Sequence, residues 1–192
     1  CLAAFSSLPA GSDEKAAKHA NIAVELLKEN KRDYAKALVV RGTVTGTPEA
    51  RLSDFSEALK IDPANLDALR SRGLLFQLKD KNEEALADIL KAIETKEDDL
   101  GAQMAACEIL TELKKYDEAM KHAERVVKLL PRKANGFLLK ARVHIMQEDL
   151  KGAIQDATDA IKVEPESLQA ILLRARLRHT SGEKEDARKD LE

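Results

Sequence analysis

Residues 100–133 read LGAQMAACEILTELKKYDEAMKHAERVVKLLPRK, and residues 134–167 read ANGFLLKARVHIMQEDLKGAIQDATDAIKVEPES. Aligned without gaps, these two stretches of 34 residues place small side chains at the same points, and residues 66–99 and 168–192 continue the alignment. Small residues at one fixed phase indicate that two helices approach closely there, so the period predicts an array of one repeated helical hairpin. The three ladders are Ala85, Ala119, Ala153 and Ala187; Gly73, Cys107, Ala141 and Ala175; and Ala58, Ala92, Val126 and Ala160.

A fourth ladder consists of Pro63, Pro131 and Pro165, and Glu97 replaces proline at the same phase in the remaining repeat. Because proline cannot continue a helix, it marks the end of each second helix. Over residues 33–192 the pattern resembles the tetratricopeptide repeat, although the aromatic expected early in the first helix appears only as Phe137. The resemblance implies an all-α fold, a right-handed α-solenoid (superhelix) of antiparallel helix-turn-helix hairpins.

The repeats divide the chain into seven segments. Residues 1–11 are an N-terminal tail, and residues 12–31, with Ser12 as helix cap, are a capping helix or a degenerate half repeat. Residues 33–65 form an irregular repeat that is three residues short between Gly42 and Ala58. Residues 66–99, 100–133 and 134–167 are full repeats, and residues 168–192 are a truncated one.

Composition agrees with an all-helical protein and excludes a strong electrostatic field. The chain has 44% hydrophobic and only 3% aromatic residues, and its formal net charge is −2. A sheet core would contain more β-branched and aromatic residues. Nothing in the net charge would attract nucleic acid or an anionic membrane, so no nucleic-acid partner is expected.

Basic residues recur one position before the small residue of the first helices, and aspartates recur in the second helices. Where the basic residue is replaced, by Ala106, the aspartate is replaced as well, by His122. This joint loss predicts ion pairs inside the hairpins rather than a binding track. The predicted pairs are Arg41 with Asp54, Arg72 with Asp88, Lys140 with Asp156, and Arg174 with Asp190.

In tetratricopeptide proteins the first helices line a concave groove, and the resemblance implies that this groove binds a peptide or helix of a partner protein. The implied binding residues here are Arg70, Leu74, Met104, Glu108, Leu138, Arg142, Ile145, Leu172, Arg176 and His179. Since the groove becomes basic and aliphatic toward the C-terminus, a partner with apolar anchors and carboxylates is expected. The phase that would hold a chaperone's terminal carboxylate contains Ser71, Ala105, Leu139 and Leu173, which cannot do so.

Motifs for catalysis or cofactor binding are missing from the sequence. It contains no HExxH, CxxC, GxSxG or P-loop pattern, and its four histidines share no spacing. Cys107 shares its phase with small residues, so a buried, unreactive thiol is expected. We therefore expect no enzyme activity, no cofactor and no metal site.

The first residue, Cys1, leaves the compartment open. The chain is a trimmed piece of a longer protein, a lipoprotein with a lipid-bearing Cys1, or a protein whose residues 1–10 are the tail of an export signal. The first reading leaves a cytoplasmic location open, and the other two place the protein in a bacterial envelope or outside the cell. No stretch is long and apolar enough to be a transmembrane segment.

Taken together, these features favour a non-enzymatic scaffold for protein-protein interaction. One alternative is an architectural protein whose arrays self-associate end to end, because the last repeat leaves an apolar face uncovered. A second alternative is the regulatory arm of a longer enzyme.

Overall fold

The computed structural model describes residues 10–192, and all eleven regular elements of these residues are α-helices. The chain divides into two compact units, Cys1–Lys96 and Glu97–Glu192. The predicted all-α class and the array of helical hairpins are therefore confirmed for the described residues. Predictions for Cys1 and residues 2–9 lie outside them.

The first unit contains one leading helix and two hairpins. Helix α1 packs against α2, the α2–α3 and α4–α5 pairs form hairpins, and α3 packs against α4. Helix α1 begins at Ala10, so Ser12 lies within its first turn and not at the cap position predicted for it. The helices are α1 (Ala10–Leu26), α2 (Lys31–Val44), α3 (Pro48–Ile61), α4 (Leu66–Gln77) and α5 (Asn82–Thr95).

The second unit contains three hairpins, α6–α7, α8–α9 and α10–α11. Consecutive hairpins are joined by packing of α7 against α8 and of α9 against α10, and α6 also contacts α8. The helices are α6 (Leu100–Glu112), α7 (Tyr116–Leu129), α8 (Asn135–Met146), α9 (Leu150–Val163), α10 (Leu168–Ser181) and α11 (Lys184–Lys189).

Short polar side chains begin many of the helices, and proline follows the end of several. The Asn65 and Asp99 side chains accept hydrogen bonds from backbone N–H groups at the start of α4 and α6. Such caps satisfy donors that have no partner within the helix. Pro131 and Pro165 each follow the last residue of a second helix by two positions.

The small-residue ladders lie at the closest helix contacts. Ala85, Ala119 and Ala153 are fully buried, and Cys107 is buried as well. A Cβ added to Gly73 would lie 3.0 Å from the Ile89 side chain, which leaves no room for a larger residue without repacking. The period therefore records where the two helices of each hairpin touch.

The turn inside each hairpin adopts one conformation. The residue with positive φ recurs every 34 positions, and in the four hairpins after α2–α3 the N–H of the following residue donates to the carbonyl five residues earlier, as from Lys115 to Leu110. This bond closes a helix through a left-handed residue, the position at which glycine is favoured. The recurring residues are Gly46, Asp80, Lys114, Glu148 and Gly182.

Gly46 lies 34 residues before Asp80, so the three-residue deletion in the hairpin α2–α3 lies between Gly42 and Gly46. Helix α2 ends two residues after Gly42, whereas α4 continues to Gln77, four residues after Gly73. The hairpin is therefore shortened at the end of its first helix. None of the helices among residues 10–192 is long and apolar enough to cross a membrane.

Candidate partner-binding groove

The structure brings together each basic residue and aspartate that the sequence paired. The shortest nitrogen-oxygen distance in each of the four pairs lies between 2.6 and 2.9 Å. Three of the basic residues are arginines that donate through Nε and Nη2 to both carboxylate oxygens, a planar arrangement that fixes the two helices relative to each other. The pairs are Arg41 with Asp54, Arg72 with Asp88, Lys140 with Asp156, and Arg174 with Asp190.

Two of the aspartates bind a second basic group that sequence reasoning missed. His144 Nδ1 lies 2.7 Å from Asp156, and Arg178 Nη1 lies 2.7 Å from Asp190. Each of these second groups follows the paired residue by four positions, which places it one turn further along the same helix face. That spacing was the signal that could have found them. Arg178 therefore belongs to the interior of its hairpin.

The hairpin α6–α7 replaces the ion pair with a neutral hydrogen bond. His122 Nδ1 lies 2.7 Å from Gln103 Oε1, and Gln103 Nε2 donates to the Glu97 carbonyl oxygen. Burial lowers the pKa of His122 below its ordinary value. The residues before α6 are held further by Arg125, which pairs with the Glu97 and Asp98 carboxylates.

Helices α6 and α8 carry five of the implied groove residues. Arg142 on α8 has nitrogens 3.8 Å from Glu108 and 3.7 Å from Glu112 on α6. Its charge is thus partly matched within the protein. Met104, Leu138 and Ile145 are half-buried, so they offer partly exposed apolar surface.

The remaining implied groove residues lie on α10 and, in the first unit, on α4. On α10, Leu172, Arg176 and His179 are exposed. On α4, Leu74 is exposed and the Arg70 guanidinium lies 3.8 Å from Asp67. Arg176 on α10 is thus exposed, whereas Arg142 on α8 lies near two carboxylates.

In the described residues, the side chains that could bind a metal or act as a nucleophile are either isolated or buried in the packing of the helices. No group of three or more His, Cys, Asp or Glu side chains among residues 10–192 could hold a metal ion. Burial raises the pKa of the Cys107 thiol to about 11, which leaves it protonated near neutral pH.

No family model matches this chain. Over 154 residues it is 31% identical to the mitochondrial import receptor subunit TOM70 of Homo sapiens, a match that covers 75% of this chain and 25% of that protein. The chain thus spans about a quarter of the length of the curated relatives it matches.

Solved structures show the same fold. A tetratricopeptide repeat protein from Parabacteroides merdae superposes with a TM-score of 0.80 at 18% identity, over 94% of this chain and 71% of that one. YrrB, described as a TPR protein with an unusual peptide-binding site, superposes with a TM-score of 0.70 at 22% identity, over 84% of this chain and 82% of that one. With the hairpins and ladders described above, these matches establish that the chain is a tetratricopeptide repeat protein.

Proposed function

We propose that this chain is a non-enzymatic protein-interaction module, and that α6, α8 and α10 of its second unit present a groove for a peptide or helix of another protein. The observation that carries this proposal is the composition of the exposed surface on these helices. This surface combines the partly exposed side chains Leu138 and Ile145 with the cations Arg142 and Arg176. The basic residues of the two ion pairs on α8 and α10 lie inside the hairpins instead. Apolar anchors with a few charged groups are typical of peptide-binding surfaces.

The relatives support the same class of function. TOM70 is named as a mitochondrial import receptor subunit, and YrrB is described as having a peptide-binding site. The partner proposed here has apolar side chains for Leu138 and Ile145 and carboxylates for Arg176 and for Arg142, whose charge Glu108 and Glu112 match only in part.

Affinity capture with a charge-reversal variant tests the proposal. The wild type and Arg142→Glu/Arg176→Glu would be used to capture proteins, and a captured partner would then be purified and titrated against both. We expect about tenfold weaker binding by the double variant, because the two cations become carboxylates that repel an acidic partner. Circular dichroism should show equal helix content in both.

A matched control reverses exposed charges outside the groove. Lys121 and Lys128 are exposed on the second helix α7, so Lys121→Glu/Lys128→Glu makes the same change in net charge without altering α6, α8 or α10. Binding by this variant should equal wild-type binding. Equal loss in both double variants would contradict a site in the groove and indicate a general charge effect.

A further inference from the structure

Arg142 on α8 lies between two carboxylates of α6, the preceding first helix. Its Nη1 atom is 3.8 Å from Glu108 and its Nη2 atom is 3.7 Å from Glu112. Glu108 and Glu112 are four positions apart, so their side chains share one face of α6. The two terminal nitrogens of one guanidinium therefore face different carboxylates, and these contacts connect two helices of the proposed groove.

These contacts are weaker than the arginine pairs inside the hairpins. Their lengths exceed the range of about 2.7 to 3.2 Å that is usual for a hydrogen bond between nitrogen and oxygen. Arg72 instead donates two hydrogen bonds of 2.7 Å to Asp88, and its side chain is 23% exposed, against 49% for Arg142. The Arg142 guanidinium can therefore still donate two short hydrogen bonds to another carboxylate.

The 34-residue register distinguishes Arg142 from Arg176, which lies at the same phase of α10. On α8 the positions equivalent to Glu108 and Glu112 are occupied by Arg142 itself and by Met146. The preceding first helix thus offers two carboxylates to Arg142, but a cation and a thioether to Arg176. The acidic pair belongs to one position of the groove and is not a general feature of the repeat.

Apolar side chains flank Arg142 along α8. Leu138 precedes it by four positions and Ile145 follows it by three, so the three side chains share one stripe of the helix. Both apolar side chains are half-buried. A partner carboxylate bound at Arg142 would lie between apolar contacts, and these would exclude water and strengthen its hydrogen bonds.

We infer that Glu108 and Glu112 act as internal competitors for Arg142. They occupy the guanidinium in the free protein, and a carboxylate of the bound partner segment replaces them and accepts two hydrogen bonds from Arg142. The inference rests on the proposed function and adds regulation of the same groove. Because binding breaks two ion pairs between α6 and α8, an acidic segment that lacks apolar anchors gains little, and the groove selects segments that have both.

A display library of random peptides supplies the probe. Peptides of about 12 residues are long enough in extended form to cross three adjacent helices. Selection on the wild type should enrich peptides that combine aspartate or glutamate with leucine or isoleucine. An enriched peptide is then synthesised with a fluorescent label, and its affinity for each variant is measured by anisotropy.

Removing the competing carboxylates should strengthen binding. Glu108→Gln/Glu112→Gln should bind the peptide about fivefold more tightly than the wild type, the size expected for two partly exposed ion pairs, and Glu108→Gln alone about twofold. Glutamine keeps the size of each side chain, so the circular dichroism spectra should be equal. Glu118 and Glu124 are exposed on α7, so Glu118→Gln/Glu124→Gln is a control with the same change in charge and should bind like the wild type.

A binding cycle with Arg142 separates competition from a general effect of charge. In Arg142→Gln the two carboxylates have no guanidinium to occupy. Adding Glu108→Gln/Glu112→Gln to this variant should therefore change the affinity by less than about twofold. A fivefold gain that persists without Arg142 would mean that the carboxylates repel the peptide directly, and it would overturn the inference.

Three other results would also overturn the inference. Equal binding by the wild type and by Glu108→Gln/Glu112→Gln would show that the carboxylates do not compete, and it would leave the proposed function intact. Weaker binding by this variant would show that the carboxylates themselves bind a cation of the peptide. If neither protein enriched any peptide, the proposed function would be contradicted together with the inference.

Discussion

His122 Nδ1 lies 2.7 Å from Gln103 Oε1, at the phase where the other hairpins contain an aspartate. Because the Gln103 amide nitrogen donates to the Glu97 carbonyl oxygen, its oxygen faces the ring, and His122 Nδ1 must carry the proton. This neutral hydrogen bond replaces the ion pair of the other hairpins. It connects the residues before α6 to α7.

The stability of the chain should depend on the protonation of His122. Burial lowers the pKa of its ring in the folded state, with Glu118 raising it and Lys121 lowering it by smaller amounts. In the unfolded chain the pKa of His122 is about 6.5. Between this value and the lower pKa of the folded state, the unfolded state binds more protons than the folded state, so the free energy of unfolding rises with pH. We expect the free energy of unfolding to fall as pH decreases from about 7 through the folded pKa of His122.

Urea unfolding at a series of pH values measures this effect. His122→Gln keeps a polar side chain at the site and removes the titration, so its unfolding free energy should change less over the same range. The other histidines are present in both proteins and cancel in the difference. Parallel curves for wild type and variant would contradict the prediction.

The ion pair between Arg72 and Asp88 should make a measurable contribution to stability. The side chains are 23% and 9% exposed, and two hydrogen bonds of 2.7 Å join them. A double-mutant cycle of Arg72→Ala and Asp88→Ala should give a coupling of about 2 kcal/mol, since each single variant leaves a partly buried charge unpaired.

A control cycle uses Arg188 and Glu192, whose side chains are 77% and 68% exposed. Water and salt screen this pair, so Arg188→Ala and Glu192→Ala should couple by less than about 0.5 kcal/mol. Both cycles are measured by urea unfolding. Similar couplings in the two would contradict the assigned role of burial.

The fold could be predicted from the sequence because the residues that determine it are of few types and recur at fixed phases. Ala119 and Ala153 are small because two helices touch there. Pro131 marks a helix end, because proline is tolerated only in the first turn of a helix. Both constraints can be read from the sequence without coordinates. The candidate site was less visible. How far the charge of Arg142 is matched depends on Glu108 and Glu112 of another helix, and no fixed spacing within one hairpin encodes that contact.

The turns show a second reason why prediction was incomplete. Glycine marks the left-handed residue at Gly46 and Gly182, but Asp80, Lys114 and Glu148 occupy the same phase in the other hairpins. The surrounding helices impose the conformation there, against the local preference of these residues. Only the 34-residue alignment with the two glycines could have indicated it.

Replacing the left-handed lysine with glycine should stabilise the protein. Lys114 has a φ of 59°, where a side chain with a Cβ is strained and glycine is not. Lys114→Gly should raise the free energy of unfolding by about 1 kcal/mol, reduced somewhat by the greater entropy of the unfolded chain. Lys121→Gly, in the middle of α7, is the comparison and should cost about 1 kcal/mol. Destabilisation by both changes would refute the assigned strain.

Gly136 should tolerate no side chain, in contrast to Gly73. A Cβ at Gly136 would lie 2.6 Å from the backbone nitrogen of Val127, so α8 could accept it only by moving away from α7. At Gly73 the nearest atoms belong to the Ile89 side chain at 3.0 Å, which can change its rotamer. Gly136→Ala should therefore destabilise the chain by about 2 kcal/mol in urea unfolding, whereas Gly73→Ala should change it by less than about 1 kcal/mol because alanine also favours the helix. Equal effects would mean that backbone contact does not set the distance between α7 and α8.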